Sequence, residues 1–285
     1  MTDFDLDPGY VAARGVLLDA LDALGSQTRA MVLAGAQAIY LRTGPESLPI
    51  AEYTTDGDLT VEPGALEEAP LLAELMEGAD FKLAVRDGSD EPGIWEKDTE
   101  VDGIPLTVPI DLIVPTGAAA PGGRRGARLG VHGNRAARKA VGLEAALVDN
   151  DVMTIKALDA GDDRKAELRV AGIAALLVAK THKLSDRVEA GRFDRLEDKD
   201  AADVVRLMQA SSAAEVATTL AFLAAHPVAG EATQQAIERF PSLFGNRAGI
   251  GIEMAARSLR GVIPEDRVRL ICIAYSDQLR EGLTS

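Results

Sequence analysis

The hydrophobic pattern of the chain changes at Gly172, and this change limits the folds that the chain can adopt. Before Gly172, short apolar runs typical of buried strands alternate with segments whose apolar residues recur every three or four positions. After Gly172 only the helical spacing remains. We therefore predict an α+β fold, with a mixed-sheet domain over residues 1–171 and a helical domain over residues 172–285.

Composition excludes several classes of protein. The 285 residues include 47% hydrophobic residues, which is too many for a disordered chain. Lys and Arg number 30 against 45 Asp and Glu, and the net charge of -15 argues against a surface coated for nucleic-acid binding. The single cysteine excludes an intrachain disulfide. The acidic start lacks a secretory pattern and no apolar stretch could span a bilayer, so we expect a cytoplasmic protein without membrane contact.

Two predicted strands carry the acidic residues of greatest interest. Alternation over residues 55–61 places Asp56 and Asp58 on one face of a strand. In the strand over residues 106–114, the apolar residues share one face and leave Asp111 on the other. Carboxylates on neighbouring strands are ligands that Mg²⁺ prefers, and a pair of such ions promotes displacement at phosphorus. A solvated turn at Asp56-Gly57-Asp58 is equally compatible with the pattern.

A glycine turn precedes these acidic residues. The apolar run over residues 31–34 predicts a buried strand, and Gly35 and Ala36 follow it at the start of a predicted helix that ends near Leu41. Backbone amides at such a helix start can hold phosphate groups. The turn therefore predicts a site for the triphosphate of a nucleotide.

The glycine turn, the segment Thr54-Thr55-Asp56-Gly57-Asp58 and Asp111 occur in the order found in polymerase-β-type nucleotidyltransferases. The sequence most closely resembles their AbiEii toxin-like, or MenT-like, branch. The resemblance implies that the three aspartates bind two Mg²⁺ ions and that Gly35 and Ala36 contact an NTP. The chain departs from the family pattern at Ala36, where a second glycine or a serine is usual, and at Glu52-Tyr53, where an arginine is common.

The resemblance extends into the helical half. Family members carry a helix with an inward lysine and then a helix with an Asp-containing motif, which correspond here to Lys180 and Lys183 and to Asp200 and Asp203. The resemblance implies that the lysines bind nucleotide phosphates and that Asp200 or Asp203 positions Lys180 or acts as a base. Helical spacing places Lys180 within an apolar stripe, which equally favours a salt bridge between Lys180 and Asp203.

A segment without Asp or Glu lies between Leu112 and Leu143. Its basic residues, which we call the basic segment, are Arg124, Arg125, Arg128, Arg135, Arg138 and Lys139. Such a cluster predicts contacts with the phosphates of a nucleic acid such as tRNA. A solvated loop that tolerates arginine is the alternative interpretation.

These patterns together predict an enzyme, a Mg²⁺-dependent nucleotidyltransferase that transfers an NMP from an NTP to an acceptor hydroxyl. The family resemblance implies a tRNA 3′ end as the acceptor and a toxin with a separately encoded antitoxin. Two alternatives remain open. In the first alternative, the enzyme transfers the nucleotide to a protein or to a small molecule. In the second, the chain is a nucleotide-binding module whose catalytic site has decayed, an interpretation that Ala36 and the missing arginine favour.

Overall fold

The computed structural model describes residues 6–44, 53–123, 125–189, 191 and 198–284, which divide between two compact units. The first unit comprises Met1–Ala38, Ala51–Ala140 and Asn150–Ala171, and the second comprises Ile39–Ile50, Val141–Asp149 and Gly172–Ser285. A mixed sheet and several helices confirm the α+β class. The second unit also contains two short segments that precede Gly172 in the chain.

The first unit contains the sheet and the helices α1 (Pro8–Leu24) and α3 (Leu72–Gly78), and helix α2 (Gly35–Thr43) begins in it. The strands are β1 (Met31–Ala34), β2 (Gly57–Val61), β3 (Lys82–Arg86), β4 (Ser89–Val101), β5 (Ile104–Pro115), β6 (Arg138–Ala140), β7 (Asn150–Lys156) and β8 (Lys165–Ala171). Their order is β3-β4-β5-β2-β1-β8-β7, and β6 pairs with β5 beside this path. Strand β2 is parallel to β5 and antiparallel to β1.

The buried strands were predictable from their apolar residues. Strand β1 is buried along its whole length, and Leu59, Ile110 and Leu112 are fully buried on the neighbouring strands β2 and β5. The predicted strand over residues 106–114 is confirmed and extends to Ile104–Pro115. These central strands carry Asp58 and Asp111, so the hydrophobic core also sets the positions of these two carboxylates.

Three segments of the first half differ from the sequence-based expectation. The apolar residues over 145–148 predict a strand, but residues 145–147 belong to a 3₁₀ helix (Glu144–Leu147), where the Glu144 carboxylate accepts a hydrogen bond from the Gly142 amide. The sequence over residues 65–76 predicts a short helix, but the helix begins only at Leu72, because Pro70 lacks an amide hydrogen and restricts the residue before it. Strand β4 was not predicted because charged residues interrupt its alternation.

The second unit is helical, as predicted for the residues after Gly172. Its helices are α4 (Ile173–Glu189), α5 (Asp198–Gln209), α6 (Ala213–Ala224), α7 (Gly230–Phe244), α8 (Ile250–Ser258) and α9 (Glu265–Thr284). The Asp149 carboxylate accepts a hydrogen bond from the Ala175 amide in the first turn of α4, at 2.9 Å. None of the helices in the described ranges combines the length and the apolar character needed to cross a bilayer.

The long connection between β5 and β6 is held to the first unit by His132. Its imidazole is buried, with Nδ1 accepting a hydrogen bond from the Leu72 amide at 3.2 Å. Its Nε2 donates to the Glu67 carbonyl at 2.8 Å. One neutral tautomer satisfies both bonds, because Nδ1 must be unprotonated and Nε2 must carry the proton. The connection is therefore an ordered part of the unit at this point.

We expect His132→Phe to lower the free energy of unfolding of the first unit by about 2 kcal/mol, because two buried backbone groups lose their partners. Trp95 is buried on β4 in the same unit and its indole donates to the Ala136 carbonyl, so its fluorescence reports the transition. Urea titrations of the two proteins measure the difference. An unchanged midpoint would contradict a stabilising role for His132.

Candidate functional site

The turn from β1 into α2 brings a glycine against a carboxylate. Gly35 has φ +67°, a backbone conformation that side chains other than glycine rarely adopt. A Cβ atom at this position would lie 2.0 Å from Asp58 Oδ2. Asp58 belongs to β2, which pairs with β1 so that Asp58 lies opposite Ala34. The predicted glycine turn is thus in direct contact with the second aspartate of the acidic pair.

The strand register brings Asp58 and Asp111 together. They are directly paired on the parallel strands β2 and β5, so their side chains project from the same side of the sheet. Gly57 and Ile110, the preceding pair, project to the opposite side, where Ile110 is fully buried. The structure therefore places two of the three predicted carboxylates next to each other, on the side of the sheet opposite to the buried Ile110.

Asp56 lies just before β2, and two hydrogen bonds define its position. The hydroxyl of the buried Thr54 donates to Asp56 Oδ1. Gln37 Nε2, from the first turns of α2, donates to the Asp56 carbonyl oxygen at 2.9 Å. The expected strand over residues 55–61 thus begins two residues later than predicted, at Gly57, and Asp56 is held by side chains rather than by strand pairing.

A buried network supports Gln37. The amide oxygen of Gln37 accepts from Arg14 Nε at 2.8 Å, which fixes the orientation of the amide group. Arg14 also donates to the Tyr10 hydroxyl at 2.7 Å and to the Lys156 carbonyl at 3.0 Å. Both Arg14 and Gln37 are almost fully buried. The sequence analysis did not select Arg14 or Gln37. Arg14 could have been found, because it is a charged residue within the apolar stripe of α1 and must therefore have a polar partner.

Asp111 is paired with Arg138 of the basic segment. Arg138 Nη2 and Nε donate to the same carboxylate oxygen, Asp111 Oδ2, at 2.5 and 3.0 Å. Burial raises the pKa of Asp111 above its ordinary value of 3.8, the Arg138 charge and hydrogen bonds oppose this shift, and the negative charge of Asp56 adds to it. The negative charge of Asp56 is therefore close enough to Asp111 to affect the pKa of Asp111.

The donor chemistry of the three aspartates fits a hard divalent cation such as Mg²⁺, which takes carboxylate oxygens as ligands. Asp58 and Asp111 share one side of the sheet, and the Asp58 carboxylate occupies the place that a side chain at position 35 would take. Across the described residues, no three His, Cys, Asp or Glu side chains are already arranged as a metal-binding group. In this structure Asp111 has a guanidinium as its cationic partner.

Lys180, Lys183, Asp200 and Asp203 come together within the second unit. Lys180 Nζ donates to Asp200 Oδ1 at 2.6 Å and to Asp203 Oδ2 at 2.7 Å, between helices α4 and α5. Asp200 also accepts from Lys183 at 2.9 Å and from Arg187 at 3.1 Å. The structure therefore contains the interhelical salt bridge that the spacing favoured, and Lys180 is only 6% exposed.

The electrostatics of this cluster keep Lys180 and Asp200 charged. Burial would lower the pKa of Lys180, but the charges of Asp200 and Asp203 raise it above its ordinary value of 10.5. Burial would raise the pKa of Asp200, but Lys180 and Lys183 hold it well below its ordinary value of 3.8. The predicted contact of Lys180 and Lys183 with nucleotide phosphates stays a prediction.

The basic segment is free of acidic residues along the chain but not in space. Arg125 Nη1 contacts Glu91 Oε1 at 2.6 Å, Arg135 is paired with Asp90, and Arg138 is paired with Asp111. Lys139 Nζ donates to the Gly122 and Gly123 carbonyls, and Arg128 is exposed beside Gly122. Arg124 lies outside the described residues. Strands β4 and β5 thus supply acidic partners for three of the arginines.

Ala36, the remaining predicted nucleotide contact, follows Gly35 at the start of α2 and is largely buried. The candidate site therefore consists of Asp56, Asp58 and Asp111 beside the Gly35 turn, with Arg138 bonded to Asp111.

Comparisons of the chain with protein-family models, with curated proteins and with solved structures found no match.

Proposed function

We propose that the protein is a nucleotidyltransferase that transfers an NMP from an NTP to an acceptor hydroxyl. The observation that supports this proposal best is the pairing of Asp58 with Asp111 on adjacent parallel strands, next to the Gly35 turn that opens α2. Asp56 precedes the same strand, and the N-terminus of α2 favours phosphate groups. Acidic residues beside a helix start suit a reaction in which a cation and a triphosphate must be held together.

In the proposed reaction the acceptor oxygen attacks the α-phosphorus of the NTP. An oxygen–phosphorus bond forms, the bond from the α-phosphorus to its bridging oxygen breaks, and pyrophosphate leaves. Asp111 accepts the proton of the acceptor hydroxyl. Asp56, Asp58 and Asp111 are the residues that would hold Mg²⁺, which when bound stabilises negative charge on the phosphate oxygens.

Incubation of the purified full chain with Mg²⁺, each α-labelled NTP and bulk tRNA tests the proposal. We expect label on an acceptor with the wild type and only background label with Asp58→Asn. Asp98→Asn is the matched control, since Asp98 lies on β4 and is hydrogen-bonded to Thr107 in the β4–β5 hairpin. Equal labelling by Asp58→Asn and the wild type would refute the assignment of the site.

A tRNA 3′ end is the acceptor that we propose first, on the strength of the basic segment with its exposed Arg128. Fractionation of a labelled lysate into RNA, protein and small molecules distinguishes this acceptor from the two alternatives. Label on protein or on a small molecule would replace the RNA proposal. Nucleotide binding without any labelled product would favour the decayed binding module.

The proposed toxin role and its antitoxin follow from an RNA acceptor, because modified tRNA 3′ ends would stop translation. Induced expression of the wild type should then arrest growth, and Asp58→Asn should not. A co-expressed neighbouring gene product that restores growth would identify the antitoxin. Normal growth with active wild-type protein would contradict the toxin role without affecting the proposed chemistry.

A further inference from the structure

We propose that Arg138 is a built-in counter-ion that competes with divalent cations for Asp111 and thereby weakens metal binding at the site. This inference rests on the proposed function, because it concerns the same carboxylates. It assigns a regulatory role to one residue of the basic segment, distinct from contact with a nucleic acid.

The contact between the two side chains is direct and partly shielded from water. Two guanidinium nitrogens of Arg138 converge on one oxygen of Asp111, at 2.5 and 3.0 Å. The Arg138 side chain is 30% exposed and that of Asp111 16% exposed. Hydrogen bonds between charged groups are strengthened when solvent is partly excluded. Arg138 is thus a specific partner of Asp111 rather than a surface charge that happens to be near it.

The fold holds the backbone of Arg138 in place. Strand β6 pairs in parallel with β5, so Arg138 lies opposite Ile113, two residues beyond Asp111. The Lys139 amide donates to the Arg125 carbonyl at 2.8 Å. Gly93 of β4 lies so close to β6 that a Cβ atom on it would be 2.2 Å from the backbone nitrogen of Arg138. The side chain therefore starts from a fixed point close to Asp111.

A guanidinium and a divalent cation compete for the same carboxylate oxygen. A Mg²⁺ ion needs oxygen ligands at about 2.0–2.1 Å, and a positive group already bonded to Asp111 Oδ2 repels it at that range. Either Arg138 withdraws when a metal binds, or the metal binds beside the guanidinium charge, through the other oxygen of Asp111 or with fewer ligands. In both cases removal of the guanidinium strengthens metal binding, whereas a purely structural Arg138 would weaken the site when removed.

Titration of the full chain with Mn²⁺, followed by electron paramagnetic resonance of the free ion, tests this inference. We expect Arg138→Gln to bind Mn²⁺ roughly tenfold more tightly than the wild type, because the variant no longer places a positive charge on the carboxylate that would bind the metal. Arg135→Gln is the matched control, since it removes the same charge from the same segment but its partner is Asp90. We expect Arg135→Gln to match the wild type within about twofold.

Affinity of Arg138→Gln equal to or weaker than that of the wild type would overturn the inference. Equal strengthening by Arg135→Gln would also overturn it, because the effect would then come from net charge alone. Trp95 donates to the Ala136 carbonyl, so its emission shows whether the segment before β6 keeps its place in each variant. If Arg138→Gln alters that emission, Arg138→Met replaces it, with the same direction of change expected because it removes the same positive charge from Asp111.

The result also separates this inference from the proposed function. Asp58→Asn in the Arg138→Gln background should abolish Mn²⁺ binding. Retained binding in the double variant would place the metal elsewhere and refute the proposed site. Loss of binding with Asp58→Asn, together with unchanged affinity in Arg138→Gln, would refute the role of Arg138 alone.

Discussion

Gly35→Ala is expected to lower nucleotidyl transfer and Mn²⁺ affinity by about two orders of magnitude, the scale of loss from a misplacement of about 1 Å in a reacting group. A Cβ at this position would lie 2.0 Å from Asp58 Oδ2, and real Cβ contacts are essentially never shorter than 3.0 Å. Asp58 or the turn must therefore move. The φ of +67° adds backbone strain for alanine.

Gly103→Ala separates the clash from the strain. Gly103, between β4 and β5, has φ +79°, but a Cβ there meets no atom within 4 Å. We expect this control to lose roughly 1–2 kcal/mol of stability and to keep its transfer activity and Mn²⁺ affinity. Label transfer and Mn²⁺ titration on both variants provide the comparison. A fully active Gly35→Ala protein would mean that Asp58 does not need its position against the turn.

Lys180→Met is expected to lower the free energy of unfolding by about 3–5 kcal/mol, because it leaves two buried carboxylates without their shared cation. Both aspartates lie within 2.7 Å of the Lys180 ammonium, and Asp200 is fully buried. Far-UV circular dichroism during urea unfolding follows the helices to which these residues belong. The fluorescence of Trp95, which lies in the other unit, serves as an internal reference.

Lys183→Met is the matched control for this variant. Lys183 also contacts Asp200, at 2.9 Å, but its side chain is 39% exposed. An ion pair that is exposed to solvent on one side contributes about 1 kcal/mol or less to the free energy of unfolding. If Lys180 acts only on nucleotide phosphates, Lys180→Met will unfold like the wild type and lose transfer instead, which would contradict the structural role inferred from the salt bridges.

The effect of Lys180→Met should depend on pH in a definite direction. The pKa of Asp200 is lower in the folded state than its ordinary value of 3.8. The contribution of Asp200 to the free energy of unfolding is therefore complete above pH 3.8 and is lost as the pH falls below that value. The raised pKa of Lys180 keeps the ammonium charged throughout this range. The difference in unfolding free energy between wild type and variant should therefore be larger at about pH 7 than at about pH 3.

Elements whose apolar residues follow one regular period were predictable from the chain alone. The helices after Gly172 and strand β5 were found in this way, because each buries a continuous stripe or face. Strand β4 was not found, since Glu96, Lys97 and Asp98 interrupt its alternation. Its pairing with β3 and β5 stabilises it instead, and such long-range partners leave little trace in local sequence.

The candidate site divides in the same way. Asp58 and Asp111 could be selected from spacing, because alternation along a strand assigns each residue to a face, whereas Asp56 was assigned to the same strand and lies just before it. The partners of these aspartates could not be selected, since Gln37, Arg138 and the Gly35 contact depend on strand register and on the packing of distant segments.

The patterning of the chain thus established the fold class, the strand β5, the helices after Gly172 and the acidic residues worth testing. Tertiary structure decided which charges meet. It paired Asp111 with Arg138, enclosed Lys180 between Asp200 and Asp203, and gave Arg125 and Arg135 of the basic segment acidic partners on β4. The physical reason is that periodicity encodes which face of an element is buried, whereas Coulomb and hydrogen-bond interactions depend on distances that only the folded chain sets.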